Sequence, residues 1–269
     1  MNNVVKLLRG SGLDAVDARV LLRAVLGVDD VYLIAHDNDT VSAQHEAQFR
    51  ALAARRLVGE PVAYLVGERE FYGHVFKVTP AVLIPRPETE LLVDLALQHK
   101  PARVLDLGTG SGCIAISIAL ARPDARVTAI DRSQDALAVA RENAQRLTAR
   151  NVEVLLSNWF DAVAGEVFDV IVANPPYVAE GDAHLAQGDL RFEPLSALVA
   201  GAGGLDDIRR IVAGARVHLA PGGGLLFEHG YDQAARCREF LLQAGFGEAQ
   251  SWRDLAGIER VSGGCVPPL

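Results

Sequence analysis

The order of hydrophobic and polar residues divides the chain into two stretches of different character. Within residues 1–70, turn-forming residues such as Gly27 and Gly59 separate short runs with apolar positions at helical spacing. One such run contains Val16, Val20, Leu21 and Ala24. The pattern predicts a small all-helical domain of four or five short helices over residues 1–70.

Residues 71–85 have a different pattern. Aromatic and β-branched residues dominate this stretch, and Gly73 and Pro80 provide turn signals, so the sequence predicts a β-hairpin linker. Helical spacing resumes from Glu88 to Gln98, after Pro87, a residue tolerated in the first helical turn because its missing N–H is not needed there. A second domain is therefore predicted over residues 86–269.

From residue 103 onward, apolar strand-like runs alternate with helical runs. The predicted strands are 103–107, 126–131, 152–156 and 168–173, and the predicted helices are 113–121, 133–147 and a segment near 206–219. This alternation predicts an α/β fold with a doubly wound, mostly parallel sheet flanked by helices. Such sheets bind ligands at the carboxyl ends of their strands, so functional residues are expected directly after each predicted strand.

A glycine-rich turn follows the first predicted strand of this sheet. Glycines in such a turn allow the backbone to approach a ligand closely, although a tight turn without a ligand would use them too. A dinucleotide-binding turn would need glycine at position 113, where this chain has Cys113, and no Gly-Lys-Ser/Thr follows for a phosphate loop. The candidate ligand-binding residues are Gly108, Thr109, Gly110, Ser111 and Gly112.

The next two strand ends carry further candidates. Asp131 ends the second strand, where an acid can accept hydrogen bonds from ribose hydroxyls, but it also precedes a helix that it could cap. Asn158 and Trp159 follow the third strand, where Trp159 could pack against a nucleobase or could be an ordinary core aromatic. Both alternatives remain open at each position.

The most specific signal is the tetrapeptide Asn174, Pro175, Pro176 and Tyr177 after the fourth strand. Its prolines lack backbone donors and restrict the chain, so carbonyl groups are held in a fixed arrangement. The Asn174 side-chain oxygen and the Pro175 carbonyl could accept the two hydrogens of a planar amide nitrogen. Tyr177 could supply a flat wall for the same group. This pattern predicts methyl transfer to such a nitrogen.

Composition and charge narrow the possible functions. The chain has 269 residues, 50% of them hydrophobic, and a net charge of −8, while residues 1–85 contain nine Lys/Arg and ten Asp/Glu. A domain that grips nucleic acid normally presents a basic face, so direct binding of nucleic acid is not expected. The three cysteines lack paired spacing, and no metal site is predicted. We expect a cytoplasmic monomer without membrane spans.

Together these motifs resemble the HemK-type protein-(glutamine-N5) methyltransferases that modify peptide chain release factors. The resemblance extends over nearly the whole chain and includes residues 86–94 and 192–205. It implies a class I S-adenosylmethionine methyltransferase fold, with cofactor contacts from Gly108–Gly112, Asp131, Trp159 and Asn174. It also implies that Asn174–Tyr177 bind the glutamine of a Gly-Gly-Gln motif, and that the N-terminal helices hold the release factor.

Two positions depart from the family pattern. Asn158 stands where an acid is common, and Gly203 stands where an aspartate often precedes the final Gly-Leu. The main alternative function is N6-adenine methylation of DNA or RNA, because the exocyclic adenine amine is also a planar nitrogen. A non-catalytic module that senses a nucleoside is a third possibility, but it would leave the acceptor tetrapeptide without a purpose. His184, His218 and His229 are expected to be structural or surface residues.

Overall fold

A computed structural model describes residues 2–267, and this part of the chain separates into two compact units. The first unit runs to Glu68 and includes Ala186–Phe192; the second contains the remaining residues. Each unit has its own hydrophobic core. Among residues 2–267, no helix is long and apolar enough to cross a membrane.

Five short helices form the first unit, as the hydrophobic spacing predicted: α1 Val4–Arg9, α2 Ala15–Leu26, α3 Asp30–Ala35, α4 Ala43–Leu57 and α5 Val62–Val66. Their ends follow from local capping. Asp14 accepts hydrogen bonds from the first backbone N–H groups of α2, and Gly27 ends that helix in the left-handed region at φ 67°. The core of the unit contains Leu21, Leu22 and Phe49, which are at most 1% exposed.

The segment Ala186–Phe192 belongs to the first unit through polar contacts at the end of α4. Arg56 pairs with Asp189 at 3.2 Å, and the Arg191 guanidinium donates to the Val58 carbonyl oxygen at 2.6 Å. Arg56 also pairs with Asp17 of α2 at 2.5 Å. Sequence periodicity did not predict this assignment, because the contacts join residues more than a hundred positions apart.

A two-stranded hairpin consists of β1 Glu68–Phe71 and β2 His74–Lys77, and all of it except Glu68 belongs to the second unit. It lies nearer the N-terminus than the predicted stretch 71–85, and residues 78–86 form turns and irregular chain. The reason is that only Phe71 of β1 is buried, so the polar and exposed residues 68–70 carry no apolar signal of a strand.

The main sheet has seven strands: β3 Arg103–Leu107, β4 Arg126–Asp131, β5 Val152–Leu156, β6 Phe168–Ala173, β7 Leu219–Glu228, β8 Gly247–Arg253 and β9 Glu259–Cys265. The helices of this unit are α6 Glu90–Gln98, α7 Cys113–Ala121, α8 Gln134–Arg146, α9 Asp206–Ala215 and α10 Ala234–Gln243. A 3₁₀ turn, Pro87–Thr89, precedes α6. The strands and helices predicted between residues 103 and 173 are confirmed.

The strand order is β5-β4-β3-β6-β7-β9-β8, and all neighbours from β5 to β7 pair in parallel. The predicted doubly wound, mostly parallel sheet is therefore confirmed. The antiparallel pairs that β9 makes with β7 and β8 were not predicted. Glycines and polar residues fill both C-terminal strands, so no clean alternation marks them.

The topology determines where the sheet opens to a ligand. The chain proceeds from β3 through β4 to β5 at one edge, and then returns to β6 on the other side of β3. Loops diverge at such a switch point and leave a crevice at the carboxyl ends of the strands. The predicted candidate residues after β3, β4, β5 and β6 all lie at this end of the sheet.

We expect Phe49→Ala to destabilise the first unit by about 3–5 kcal/mol, because the phenyl ring is fully buried and its removal leaves a cavity. Urea unfolding followed by circular dichroism measures this change. Val58→Ala serves as the control, since Val58 is 66% exposed, and should change stability by no more than about 0.5 kcal/mol. Equal unfolding midpoints for the two variants would contradict the packing described above.

Candidate functional site

A cleft of about 960 Å³, counted with its open mouth, lies at the carboxyl ends of the parallel strands of the second unit. Concave sites at this edge of an α/β sheet are where small-molecule ligands and cofactors bind. The predicted candidates that line it are Gly108, Thr109, Gly110 and Ser111 after β3, Asp131 at the end of β4, Trp159 after β5, and Asn174 and Pro176 after β6. Four strand ends thus supply one site.

The glycine turn after β3 forms the floor of this cleft. Gly112 is the N-cap of α7 and does not line the cleft; its φ is 83°, and a Cβ there would lie 2.8 Å from Ile116 Cδ1 and 3.3 Å from Ala140 Cβ. Only glycine allows this close approach of α7 and α8. The backbone N–H groups of Gly108 and Thr109 donate to the Ile130 carbonyl oxygen, which joins the turn to β4.

Asp106 supports the turn from beneath. Its carboxyl group is completely buried and accepts a hydrogen bond from the Thr109 hydroxyl at 2.6 Å. Burial raises the pKa of Asp106 to about 7, because a charged carboxylate loses its hydration in the interior. Asp106 does not line the cleft, so it holds the turn rather than a ligand.

Asp131 links the glycine turn to the start of α8. Its Oδ2 accepts from the Gly110 N–H at 3.0 Å and its Oδ1 accepts from the Ser133 N–H at 2.9 Å. The N-cap of α8 is Ser133, whose hydroxyl accepts from the Ala136 N–H. Asp131 is therefore not the helix cap. Each carboxylate oxygen retains a second lone pair that can accept a hydrogen bond from a ligand in the cleft.

Trp159 lies between the core and the cleft, and its packing against a nucleobase stays a prediction. Its ring packs against the second-unit core and also lines the cleft, 3.7 Å from the position that a Cβ on Gly108 would occupy. Its backbone has φ at 50°, uncommon for a residue other than glycine, and its carbonyl oxygen accepts from the Ser157 hydroxyl at 2.8 Å. Asn158 lines the cleft beside it and is exposed.

Asn174 carries an unsatisfied acceptor. Its Nδ2 donates to the Thr89 hydroxyl oxygen at 3.2 Å, whereas its Oδ1 is buried and has no hydrogen-bond partner among the described residues. A buried polar atom without a partner costs about 1–3 kcal/mol. Because Asn174 lines the cleft, this oxygen is a candidate acceptor for a hydrogen of a bound group.

The other residues of the tetrapeptide are placed differently. Pro176 lines the cleft with Asn174, but Pro175 is buried and neither Pro175 nor Tyr177 is among the lining residues. The Tyr177 hydroxyl donates to Glu228 Oε1 at 3.2 Å, and burial raises the pKa of this phenol. The predicted stacking of Tyr177 on an acceptor and the predicted role of the Pro175 carbonyl stay predictions.

The chain after Tyr177 is held closely by the glycine-rich segment 201–205. The Tyr177 carbonyl oxygen accepts from Gln233 Nε2 at 2.9 Å, and a Cβ on Gly204 would lie 2.3 Å from the same oxygen. Gly204 also has φ at 66°, in the left-handed region. Glycine is therefore required there, because a Cβ would collide with the Tyr177 oxygen and because other residues rarely adopt this φ. Gly203, the position that departs from the family pattern, would meet nothing within 4 Å.

Three residues near the tetrapeptide were not singled out from the sequence: Thr89, Glu228 and Gln233. Thr89 lines the cleft, and its hydroxyl donates to Glu228 Oε2 at 2.6 Å. Glu228 is 2% exposed, and burial raises its pKa. The sequence offered one signal for Glu228: it is a charged residue directly after the apolar run Leu225–Phe227. Because β6 and β7 are parallel neighbours, it lies at the same edge of the sheet as Asn174.

Glu193 does not line the cleft itself but holds residues that do. The side chain is buried, accepts from the Ile84 N–H at 3.0 Å and forms an ion pair with Arg86. Arg86 and Pro194 line the cleft. Glu193 thus shapes the wall through its neighbours.

Among residues 2–267, no histidine lines the cleft, and Cys113 is the one cysteine that does. His229 is buried between the Gly230 carbonyl and the Ser262 hydroxyl, His218 is buried against Phe160, and His184 is exposed beside Asp182. Cys113 lines the cleft, but burial raises the pKa of its thiol to about 12, so it is neutral near pH 7.

Solved structures share the fold of this chain. The hMettl16 catalytic domain in complex with the MAT2A 3′UTR hairpin 6 aligns with a TM-score of 0.59 and 15% identity, over 88% of this chain and 92% of that one. A methyltransferase from Pyrococcus furiosus aligns with a TM-score of 0.52 and 20% identity, over 80% of this chain and 98% of that one. At such identities the likeness concerns the fold, which is that of the class I methyltransferases.

Family models and curated relatives identify the chain more closely. The "Methyltransferase small domain" matches residues 87–190, and the "PrmC N-terminal domain" matches residues 1–67. The release factor glutamine methyltransferase of Bordetella pertussis is 57% identical over 96% of this chain and 97% of its own length. That of Escherichia coli is 43% identical over 97% of this chain and 96% of its own length. With identity of this level along both chains, the protein belongs to the release factor glutamine methyltransferase family.

Proposed function

We propose that this chain transfers a methyl group from S-adenosylmethionine to the side-chain amide nitrogen of the glutamine in the Gly-Gly-Gln motif of peptide chain release factors. Membership of the family supports the reaction and its substrate class. The single structural observation that carries the proposal is the buried, unpartnered Oδ1 of Asn174 at the wall of the cleft. A planar amide N–H is the kind of donor that would satisfy it.

The residues of the cleft fit the cofactor. When bound, S-adenosylmethionine supplies a methyl group on a positively charged sulfur, which becomes neutral when the methyl group leaves. The glycine turn after β3 brings backbone close to the cleft, and Asp131 has lone pairs available for ribose hydroxyls. The Trp159 ring offers a flat apolar surface for the adenine base.

The acceptor side of the cleft addresses the weak nucleophilicity of an amide. The nitrogen lone pair of a glutamine side chain is delocalised into its carbonyl group, so position and orientation must supply most of the acceleration. Asn174 Oδ1, with the Pro175 carbonyl as the predicted second acceptor, would hold the two amide hydrogens and direct the nitrogen toward the methyl group. Well-oriented reactants can gain about 7–11 kcal/mol in this way.

Proton balance follows from the same arrangement. The amide nitrogen gains a methyl group and loses one of its two hydrogens as a proton during or after the transfer. Asn174 Oδ1 accepts a hydrogen bond from the group that must lose the proton, but an amide oxygen is too weak a base to keep it. The open mouth of the cleft therefore provides the exit to water.

The remaining proposals concern partners. We propose that the N-terminal helical domain, predicted as residues 1–70, holds the body of the release factor, and that the chain acts as a monomer in the cytoplasm. No direct contact with nucleic acid is expected, because residues 1–85 have slightly more acidic than basic side chains. N6-adenine methylation stays the alternative that a substrate test must include.

We expect Asn174→Ala to lower the rate of release factor methylation at least about 100-fold, because the acceptor nitrogen loses an oriented partner in the transition state. Methyl-labelled cofactor and purified release factor measure this, with the modified residue located by mass spectrometry. Cofactor affinity should change only a few-fold. Gln145→Ala removes an exposed amide on α8 that does not line the cleft, so it is the matched control and should keep full activity.

The same experiment includes duplex DNA and ribosomal RNA as acceptors. Labelled adenine in either nucleic acid, with no labelled glutamine, would replace the proposed function by the alternative. An Asn174→Ala variant with unchanged turnover on release factor would remove Asn174 from the mechanism.

Asp131→Ala should weaken S-adenosylmethionine binding about 10-fold or more, the usual cost of a lost hydrogen bond to a charged group. Isothermal titration calorimetry gives the dissociation constant. Asp135→Ala at the first turn of α8 removes an exposed carboxylate close by and should leave the constant unchanged. Equal affinities of Asp131→Ala and the wild type for the cofactor would show that Asp131 does not bind the cofactor and only accepts hydrogen bonds from Gly110 and Ser133.

A further inference from the structure

We propose that Glu228 is a positioning residue, which acts through the Thr89 hydroxyl to set which end of the Asn174 amide faces the acceptor. This inference rests on the proposed function and concerns two residues outside the tetrapeptide. It assigns Glu228 and Thr89 a role in the rate of methyl transfer rather than in binding of the cofactor.

The argument begins with the hydrogen atoms of the network. An ionised carboxylate can only accept hydrogen bonds, and Glu228 accepts one from the Thr89 hydroxyl at 2.6 Å and one from the Tyr177 hydroxyl at 3.2 Å. A threonine hydroxyl has a single hydrogen. The hydrogen of Thr89 is therefore committed to Glu228.

Thr89 then has only lone pairs to offer to Asn174. The Asn174 amide can meet a lone pair only with its NH₂ end, which is the 3.2 Å contact from Nδ2 to Thr89 Oγ1. Its oxygen must occupy the other side, where it is buried without a partner among the described residues. The direction of these two hydrogen bonds thus makes the oxygen the unpaired end of a side chain that lines the cleft.

Glu228 also connects the two ends of the tetrapeptide. One carboxylate oxygen is bonded to Thr89, the partner of Asn174, and the other is bonded to Tyr177. A carboxylate that is 2% exposed is costly to bury, and its two closest partners are neutral hydroxyls rather than a cation. Such costly groups occur at functional sites, where they set the geometry of their neighbours.

Glu228→Gln is the decisive variant because it keeps the size of the side chain and changes only the hydrogen pattern. A glutamine NH₂ can donate to Thr89 Oγ1, which frees the Thr89 hydrogen to donate to Asn174 Oδ1. The amide can then turn round. We expect kcat for release factor methylation to fall at least about 10-fold, with KM, cofactor affinity and thermal midpoint close to the wild-type values.

Substitutions at Thr89 provide the second line of the test. Thr89→Ser keeps the hydroxyl and should retain most of kcat, whereas Thr89→Val removes it at nearly constant volume and should lower kcat at least about 10-fold. Thr128→Val is the matched control, because Thr128 is also buried but lies within β4 and does not line the cleft. Glu239→Gln is the control for Glu228→Gln, because it makes the same change from Glu to Gln at an exposed position of α10.

The pH profile of kcat supplies a readout that a merely structural residue would not move. Burial raises the pKa of Glu228, and the other titratable groups that act on it are Glu88, Tyr177, Cys113 and Arg260. Protonated Glu228 can donate to Thr89, as a glutamine would. Wild-type kcat should therefore fall as the pH drops through this raised pKa, while Glu228→Gln should lack that acid limb.

The outcomes separate this inference from the proposed function. Wild-type protein that does not methylate release factor would refute the proposed function itself. Active wild-type protein with an unchanged kcat in Glu228→Gln would refute the positioning role alone. A Glu228→Gln variant that loses thermal stability and cofactor affinity along with kcat, and keeps the acid limb, would likewise refute it in favour of a structural role.

Discussion

The hydrogen bond from Asn174 Nδ2 to the Thr89 hydroxyl leaves the oxygen of the same amide buried and unpaired beside the cleft. Everything proposed for the acceptor side depends on this division of one side chain into a bound end and an unsatisfied end. The unsatisfied oxygen costs stability in the free protein, and a substrate amide N–H would recover that cost.

The parallel sheet makes this arrangement possible by collecting distant strand ends at one edge. The cleft takes the glycine turn from β3, Asp131 from β4, Trp159 from β5 and Asn174 from β6, while Glu228 comes from the end of β7. Each residue lies at the carboxyl end of its strand or in the loop directly after it, which is where such sheets bind ligands. The cofactor side and the acceptor side are therefore neighbours because β3 and β6 pair directly.

Much of the sheet was predictable because buried parallel strands read as continuous apolar runs between turn signals. The glycine turn and the Asn-Pro-Pro-Tyr tetrapeptide stood out for the same reason, since each follows such a run directly. The strands β7, β8 and β9 were missed, because a proline and three glycines interrupt the apolar run of β7 and because polar residues and glycines break the alternation in β8 and β9. Strand β1 was missed because only Phe71 in it is buried, so its pairing comes from the hairpin rather than from an apolar face.

The sequence alone determined the class of fold, the four strands from β3 to β6 and the residue types at their carboxyl ends, because these depend on local periodicity and turn chemistry. Tertiary structure decided which alternatives hold: Ser133, not Asp131, caps α8, and Trp159 both packs in the core and lines the cleft. It alone joined Thr89 to Glu228, 139 positions apart. Hydrogen bonds between such distant residues leave no periodic trace, since they depend on how strands and helices pack and not on neighbours in the chain.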